Sequence, residues 1–339
     1  MKGQVSRTRA AAGMLCAAAV AVLLAALGSG PSHAAPGLQR VTLLGGPPGG
    51  VFGIFATAIG TFLNRAVPGL DVSVAATGGS VENVRRVNAG DAEMGIAFAS
   101  DLHEGFYGVD AFRGNPQSNN RAIGVVFIGV AHLVTYRESR IRTVEDLAGK
   151  RVAVGTPGSG TFASAERVLG KLGLWDRITR VPLLGAAAGG ALADGRVDAF
   201  FWTGPFPDRV TIEAAIRGPV HVIDLYSALT KTDFFAVYPY FARYLIPAGA
   251  YAGETESIAT LGIPAQWFAN RHVPAVTIQR MVEAAYSLQG HEHMLRVHAA
   301  SGDMTPRRAL QGVSIPLHAG AEAHWRAVGL EIPERIRSR

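Results

Sequence analysis

The chain has 339 residues, of which 48% are hydrophobic and one is cysteine, and its formal net charge at pH 7 is +6. A chain of this length exceeds what one hydrophobic core usually serves, so we expect two domains. It has no run of lysine and arginine of the kind that binds nucleic acid, which argues against a nucleic-acid partner.

Residues 1–34 have the pattern of a secretory signal peptide. Three basic residues precede an apolar run over about 10–27, and the small residues Ser32 and Ala34 occupy the −3 and −1 positions of a cleavage site before Ala35. A retained membrane anchor is the alternative, but the apolar run is at the short end for a span. We therefore predict export to the periplasm, with cleavage near Ala34–Ala35.

Cleavage at this site changes what the remaining chain can do. It leaves 305 residues (339 less 34) with a formal net charge of +3, because three basic residues are removed, and it removes Cys16. The remainder then has no disulfide, no thiol nucleophile and no thiolate metal site. No second long apolar stretch follows, so we expect a soluble protein whose mild positive charge suits a small anionic ligand.

Short apolar strands alternate with loops and helices in the first half of the chain. Strands are predicted over 41–44, 72–75 and 94–98. Helices are predicted over 52–67 and, with Ser80 as its N-cap, over 80–88, where Gly90 ends the second helix. The repeated order of strand, loop and helix predicts an α/β fold with a parallel sheet.

The same order continues in the second half, with strands predicted over 123–130, 133–136, 152–154 and 198–202. A short helix capped by Thr143 is predicted over 143–149, a longer helix over 162–172, and a short helix or turn over 192–196. Helices are expected to dominate the C-terminal third, for example over 276–291.

Loops rich in glycine, serine and threonine follow predicted strands in both halves. One comprises Thr77, Gly78, Gly79 and Ser80, and another covers 155–161. Open α/β sheets bind ligands at the carboxyl ends of their strands, beside helix N-termini whose free amides attract anions. We therefore predict a cleft between two domains that closes on an anion. The alternative is that each loop caps only its own helix.

Other residues are candidates for the same cleft. Arg85 or Arg86 is a candidate for a direct ion pair with the ligand, and the alternative for at least one of them is a solvated helix face. Aromatic residues that can line the cleft are Phe200, Phe201, Trp202 and Phe206. Because the first three alternate along a predicted strand, at least one of them is expected in the core.

Motifs typical of enzymes and metal sites are incomplete. The 155–161 loop resembles a phosphate-binding loop but has Thr161 where lysine is required, and prolines interrupt 45–50, so neither nucleotide hydrolysis nor dinucleotide binding is expected. His291, His293 and His298 lack metal-ligand spacing, and no G-x-S-x-G elbow occurs. We predict no catalytic residue, no metal site and no cofactor.

Together these loops resemble those of the TAXI family, the extracytoplasmic solute receptors of tripartite ATP-independent periplasmic (TRAP) transporters. The resemblance covers essentially all of the chain after residue 34, and its most specific segments are ATGGSVENVR and GTPGSGT. It implies a two-domain, type II-like periplasmic binding protein, each domain a mainly parallel sheet with flanking helices, and a ligand cleft between the domains. Domain 1 would comprise 35–130 and 240–339. Domain 2, inserted through hinge strands, would comprise 131–239.

The resemblance also implies a set of ligand-binding residues. They are Gly50, Val51, Phe52, Thr77, Gly78, Gly79, Ser80, Ser100, Ser159, Gly160, Thr161, Thr203 and Gly204. The ligand would be a small carboxylate, either an amino acid such as glutamate or glutamine or a small organic acid. A monomeric receptor would pass it to the permease subunits of a TRAP transporter.

The chain departs from the family pattern in its first loop. Pro47 and Pro48 stiffen this loop, and Phe52 stands where an aromatic residue with a hydroxyl is common. A phenylalanine ring cannot hydrogen-bond a ligand as tyrosine can. We therefore expect a more apolar pocket, whose ligand need not be glutamate.

Three alternatives to a TRAP receptor stay open. The same fold serves receptors of ATP-driven (ABC) importers, a receptor can present its ligand to a membrane sensor kinase, and an enzyme can use the same two-domain scaffold. The family-like segment SIPLHAGAEAHWRAVGL argues against the importer. The loss of the only cysteine argues against one such enzyme group, which carries its cofactor on a cysteine.

Overall fold

Strands and helices alternate through residues 38–338, the part of the chain that this computed structural model describes. The predicted signal peptide, its cleavage site and Cys16 lie outside these residues. Within them, the strands are β1 (Gln39–Leu44), β2 (Leu70–Ala75), β3 (Met94–Phe98), β4 (Asn120–Tyr136), β5 (Arg151–Ala153), β6 (Thr179–Val181), β7 (Ala199–Pro205), β8 (Val220–Val222), β9 (Ala242–Ile246) and β10 (Ile258–Asn270).

The α-helices of the described residues are α1 (Val51–Ala66), α2 (Ser80–Ala89), α3 (Ala99–Tyr107), α4 (Gly160–Lys171), α5 (Ala186–Ala193), α6 (Arg209–Arg217), α7 (Leu225–Leu229), α8 (Phe234–Val237), α9 (Ala275–Ala285), α10 (Leu288–Val297) and α11 (Ala319–Ala327). Short 3₁₀-helices cover Asp110–Phe112, Val144–Leu147, Ala299–Asp303, Pro306–Arg308 and Glu334–Ile336. No helix within residues 38–338 is long and apolar enough to cross a bilayer.

All the strands described above belong to one sheet. Its order is β2-β1-β3-β10-β4-β7-β5-β6, with β8 also paired to β4 and β9 to β10. Pairing is parallel between β1 and β3 and between β5 and its two neighbours, whereas the pairs that β4 and β10 form are antiparallel. The predicted α/β fold class is confirmed, and the middle of the sheet is antiparallel.

The long strands β4 and β10 run through both halves of this sheet. β4 pairs with β10 over 120–130 and with β7 and β8 over 129–136. β10 pairs with β9 over 258–262 and with β3 over 265–269. We expected two strands in place of β4, but the chain continues through His132, whose buried Nε2 lies 2.8 Å from the Tyr251 hydroxyl.

The sequence analysis did not predict β10, whose apolar run contains Pro264. Proline donates no backbone hydrogen bond and therefore argues against a central strand. In the structure, pairing with β3 begins only at Ala265, so Pro264 lies just before that ladder. On the β4 side, the N–H of Ile128 donates to Asp303 Oδ2 at 3.0 Å, outside the ladder. The proline thus lies where the strand changes its neighbour.

The structure corrects two predictions at loops of the expected site. Ser80 does not cap α2: Gly79 is the N-cap, with a φ of 121°, and Ser80 is the first helical residue. Thr203 and Gly204 lie within β7 and not in a loop after it. Both differences shift the boundary of an element by only a few residues. Helix α2 and strand β7 themselves lie where we expected a helix and a strand.

One helix prediction is also corrected, and one cap is confirmed. The short helix or turn expected over 192–196 is the end of α5 at Ala193 and the turn that follows it. The helix expected over 276–291 is two helices, because Ser287 caps α10 by accepting the N–H of Gly290 at 3.1 Å. Thr143 does cap the short helix that follows it, in a capping box with Asp146.

Buried apolar side chains form two clusters in the described part of the chain. The larger includes Phe55, Phe127 and Trp267, and the smaller includes Phe200 and Val220. From Arg40 onward the chain forms one compact unit. The division into two domains therefore stays a prediction.

Candidate ligand-binding site

Loops from both halves of the sheet line a small cavity of about 50 Å³. Of the thirteen residues predicted to bind ligand, it brings together Gly50, Val51, Phe52, Gly78, Gly79, Ser80, Ser159, Gly160, Thr161 and Thr203. The lining is completed by Pro47, Phe98, Phe127, Leu184 and Trp202. The predicted loops therefore converge on one cavity.

The N-terminus of α2 lies at this cavity because hydrogen bonds from residues outside the cavity lining hold the preceding loop in place. Thr77 Oγ1 donates to Asn83 Oδ1 at 2.7 Å and accepts the N–H of Gly79 at 3.1 Å. Asn83 Nδ2 in turn donates to the carbonyls of Gly45 at 2.6 Å and Ile96 at 2.8 Å. The left-handed φ of Gly79 favours glycine, since a side chain there would be strained.

The N-terminus of α4 approaches the cavity from the other side. Ser159 is its N-cap: Oγ accepts the N–H of Phe162 at 3.1 Å and donates to the carbonyl of Thr156 at 2.7 Å. Thr161 Oγ1 accepts the N–H of Thr203 at 3.4 Å, which joins the first turn of α4 to β7.

The N-terminus of α1 is the third helix end at the cavity. Its N-cap, Gly50, donates its N–H to the carbonyl of Pro47 at 2.8 Å, closing the turn that leads into the helix. The Phe52 ring packs with its centroid 5.0 Å from that of Phe98 and 6.0 Å from that of Phe127. The loop in which the chain departs from the TAXI pattern therefore forms part of the cavity wall.

Amide groups in the first turns of these helices have no acceptor among the described residues. They are the N–H groups of Val51, Phe52, Ser80, Val81, Gly160 and Thr161. Free amides at a helix start carry partial positive charge and favour a carboxylate or phosphate. Three helix N-termini at one cavity therefore create a site of positive potential without a cationic side chain.

Two residues of the cavity wall carry a side-chain polar atom that has no partner within residues 38–338. Trp202 Nε1 and Thr203 Oγ1 are both buried without a hydrogen bond, and their residues are only 7% and 3% exposed. Buried polar atoms without partners cost free energy and are rare in folded proteins. A ligand oxygen is the kind of group that would relieve that cost.

The loops from the two halves touch each other around the cavity. The N–H of Glu82, in α2, donates to the carbonyl of Gly158 at 3.4 Å. A Cβ placed on Gly160 would lie 3.0 Å from Ser80 Cβ and 2.5 Å from the Phe98 ring. The α2 and α4 ends therefore meet so closely that only glycine fits at this point.

Aromatic rings make up much of the wall, and the sequence analysis found only some of them. Phe98 and Phe127 were missed, because buried strand positions carry no signal that separates a cavity wall from a core. Of the aromatic candidates on β7, Trp202 lines the cavity, whereas Phe200 and Phe201 are buried in the core.

Three predicted site residues do not line the cavity. Thr77 acts from behind, on Asn83 and Gly79. Gly204 lies against the Trp202 indole nitrogen, where a Cβ would collide. Ser100 lies in the first turn of α3, and its Oγ lies 3.4 Å from the Arg167 guanidinium, so it belongs to a different polar cluster.

That cluster is a buried ion-pair network between α3 and α4. Arg167 Nη2 donates to Asp101 Oδ1 at 2.8 Å and also to Glu104 Oε2, while the Tyr240 hydroxyl donates to Glu104 Oε1 at 3.0 Å. All three charged side chains are at most 5% exposed. Burial raises the pKa of Glu104 to about 7, although Arg167 opposes this rise.

The arginines considered as ligand partners make other contacts. Arg86 pairs with Glu82 at 3.3 Å on the helix surface. Arg85 donates to the carbonyl of Ala111 at 3.0 Å, with its guanidinium 5.1 Å from the Phe112 ring centroid. Neither lines the cavity, and no other charged side chain does.

The C-terminal histidines also have local partners. His291 Nδ1 lies 3.0 Å from the carbonyl of Met304, and His293 Nε2 lies 3.1 Å from that of Ala58. Within the described range, no group of three or more His, Cys, Asp or Glu side chains is placed to hold a metal ion.

Comparison with known proteins gives the following matches. The sequence pattern of the NMT1-like family matches residues 43–329. Among solved structures, MatC from Rhodopseudomonas palustris, with bound malate, is similar over 85% of this chain and 96% of its own, with 15% identity and a TM-score of 0.53. The periplasmic aliphatic sulphonate binding protein SsuA from Escherichia coli matches over 85% and 83%, with 17% identity and a TM-score of 0.46.

Proposed function

The chain belongs to the NMT1-like family, and on this premise we propose that it is a periplasmic receptor that captures a small carboxylate for a membrane transporter. The observation that carries the proposal is the convergence of three helix N-termini, those of α1, α2 and α4, on one cavity. Their free amides favour an anion, and a carboxylate is one of the anions that helix N-termini bind.

The likeness to MatC supports the choice of carboxylate over phosphate. That protein holds malate in the same fold, although at 15% identity its contacts do not transfer to this chain. An amino acid such as glutamate or glutamine, or a small organic acid, is the class of ligand that the proposal covers.

Capture would use two lobes. The first comprises residues 35–130 and 240–339, and the second comprises the inserted residues 131–239. The strands that pass between them are β4 and β10, which pair within both halves of the sheet. Helix α2 would bring its N-terminus from the first lobe and α4 from the second, so a bound anion contacts both. A ligand that contacts both lobes stabilises the closed state relative to the open state.

Delivery is proposed to go to the permease subunits of a TRAP transporter, with the receptor acting as a monomer of the TAXI type. The proposal includes no covalent step, no metal and no cofactor. A receptor of an ABC importer, or one that presents its ligand to a membrane sensor, would use the same cavity. Uptake of labelled acid by the wild-type strain and by a strain that lacks this receptor separates these roles. We expect the receptor-dependent uptake to stop when the ion gradient is collapsed. Receptor-dependent uptake that stops only when ATP is depleted would indicate the importer.

Binding is tested directly on purified protein, freed of endogenous ligand by unfolding and refolding. A thermal-shift screen compares small mono- and dicarboxylic acids with their uncharged amides. We expect at least one acid to raise the midpoint, because the stabilisation grows with ligand concentration over Kd, and we expect the matching amide not to. An amide that stabilises as strongly as its acid, or no stabilisation by any acid, would contradict the proposal.

A further inference from the structure

From the cavity wall we infer that the ligand is a monocarboxylate with an apolar body and no ammonium group, so free amino acids are rejected. This inference rests on the proposed function, because it assumes that the cavity holds a carboxylate. The polar groups of the wall can pair with some ligand groups and not with others, and this limits the ligand class.

The wall offers donors. The oxygen of Ser80 Oγ accepts the N–H of Phe98 at 2.9 Å, and Thr161 Oγ1 accepts that of Thr203. Neither hydroxyl donates a hydrogen bond among the described residues, so both hydroxyl hydrogens are left to donate. With the free amides of α1, α2 and α4 and the unpartnered Trp202 Nε1, they form a set of donors that suits carboxylate oxygens.

The wall lacks a negative charge for an ammonium group. No aspartate or glutamate lines it. Three carbonyls of the surrounding loops already accept hydrogen bonds within the protein: Pro47 from Gly50, Thr156 from Ser159, and Gly158 from Glu82. An α-ammonium buried here would lose its water without gaining a carboxylate partner, in a field made positive by helix ends.

Aromatic rings do not change this conclusion, although ring faces attract cations in other sites. Phe52, Phe98 and Phe127 are tilted or edge-on to one another, with centroids 5.0 to 6.5 Å apart, so they pack among themselves. Such a wall suits the apolar body of a ligand. The positive helix ends oppose a cation at the same place.

A second carboxylate also lacks a partner. No arginine or lysine lines the cavity, and the buried Arg167 is held by Asp101 and Glu104. One carboxylate can share the donors of the helix ends, whereas a second would have no cationic side chain in the wall to pair with. The wall therefore favours one charge over two.

The test is calorimetric titration of refolded protein with matched pairs that differ only at one position. The pairs are pyruvate and alanine, 3-methyl-2-oxobutanoate and valine, 4-methyl-2-oxopentanoate and leucine, and phenylpyruvate and phenylalanine, with malate, glutamate and choline added. We expect one 2-oxo acid to bind at least a hundredfold more tightly than its amino acid, and more tightly than malate, glutamate or choline.

Two variants locate that binding. Trp202→Phe removes the unpartnered indole donor of the wall, and Trp267→Phe removes a buried, unpartnered indole donor elsewhere in the core. We expect the first to weaken binding of the 2-oxo acid at least fivefold and the second to leave it unchanged. Equal effects of both would overturn the assignment to this wall.

The outcomes separate this inference from the proposed function. An amino acid that binds as tightly as its 2-oxo partner, or malate that binds more tightly than every monocarboxylate, overturns the inference and leaves carboxylate capture standing. No binding of any carboxylate, or preferential binding of choline, overturns both.

Discussion

Arg167 of α4 donates through Nη2 to Asp101 of α3 at 2.8 Å, and this buried ion pair joins two helices that the proposed division assigns to different lobes. Glu104, on the next turn of α3, contacts the same guanidinium. Desolvating three charges in one place is expensive, so the network is sensitive to the loss of any member. Its arginine belongs to α4, the helix whose first turn meets the start of α2.

Loss of the arginine is expected to destabilise the fold strongly. Arg167→Met leaves two buried carboxylates without their cation, and we expect the free energy of unfolding to fall by about 3 kcal/mol or more. Urea unfolding at pH 7.5 measures this. Arg196→Met is the control, because its pair with Asp194 is 59% exposed on both sides and is expected to matter by less than about 1 kcal/mol. Comparable losses in both variants would contradict a special role for the buried network.

The same network predicts a pH dependence of stability. Burial raises the pKa of Glu104 to about 7, above its ordinary value of 4.5, so the folded state keeps a proton that the unfolded state loses. Stability should therefore fall as pH rises from about 4.5 to about 7, by roughly 3 kcal/mol for a shift of this size. Glu104→Gln should lack this loss. Urea unfolding of wild type and Glu104→Gln across this pH range measures the difference. If the free energy of unfolding depends on pH in the same way in both proteins, Glu104 is not the cause.

A histidine predicts the opposite slope. His318 is 2% exposed, and burial lowers its pKa from 6.5 to about 4, so the unfolded state takes up a proton that the folded state refuses. Stability should fall as pH falls from about 6.5 to about 4. His318 Nδ1 also accepts the N–H of Gly320 at the start of α11, so His318→Asn, which keeps an acceptor at this cap, is the matched variant. If wild type and variant respond alike to acid, His318 does not set this slope.

Closure of the cavity is tested by two glycines of one helix. A Cβ on Gly160 would meet Phe98 at 2.5 Å and Ser80 at 3.0 Å, whereas a Cβ on Gly170 would meet nothing within 4 Å. Gly160→Ala should hold the two loops apart and weaken ligand binding at least tenfold. Gly170→Ala should bind normally and gain up to about 1 kcal/mol of stability, since alanine favours a helix. Calorimetry measures the Kd of both variants for the same acid. Equal Kd values would mean that the loops need not meet for binding.

Much of the first half of this architecture was predictable. Strand 94–98 was predicted at its observed bounds, and the end of α2 at Gly90 follows from a left-handed glycine after an amphipathic run. Ten predicted site residues line one cavity, because strand-end loops of an α/β sheet converge in space. Whether these residues bind a ligand stays a prediction.

The remainder depended on tertiary contacts that a sequence pattern does not contain. β10 was not predicted, and the place of Pro264 just before the β3 ladder is visible only once the strands are paired. Phe127 lies in the middle of a strand that is buried almost throughout, so nothing in its neighbours marks it as part of a wall. Ser100 looked like a site residue because it follows a strand, yet its hydroxyl lies at Arg167, which is 67 residues away in the chain.

Native mass spectrometry of the refolded protein, incubated with an equimolar mixture of mono- and dicarboxylic acids and amino acids, tests the central claim most directly. Wild type and Gly170→Ala should both retain the mass of a monocarboxylic acid, and Gly160→Ala should retain none, because the acid is held between the ends of α2 and α4. Retention of no acid by wild type, or of the same acid by Gly160→Ala, would contradict capture of a carboxylate in this cavity.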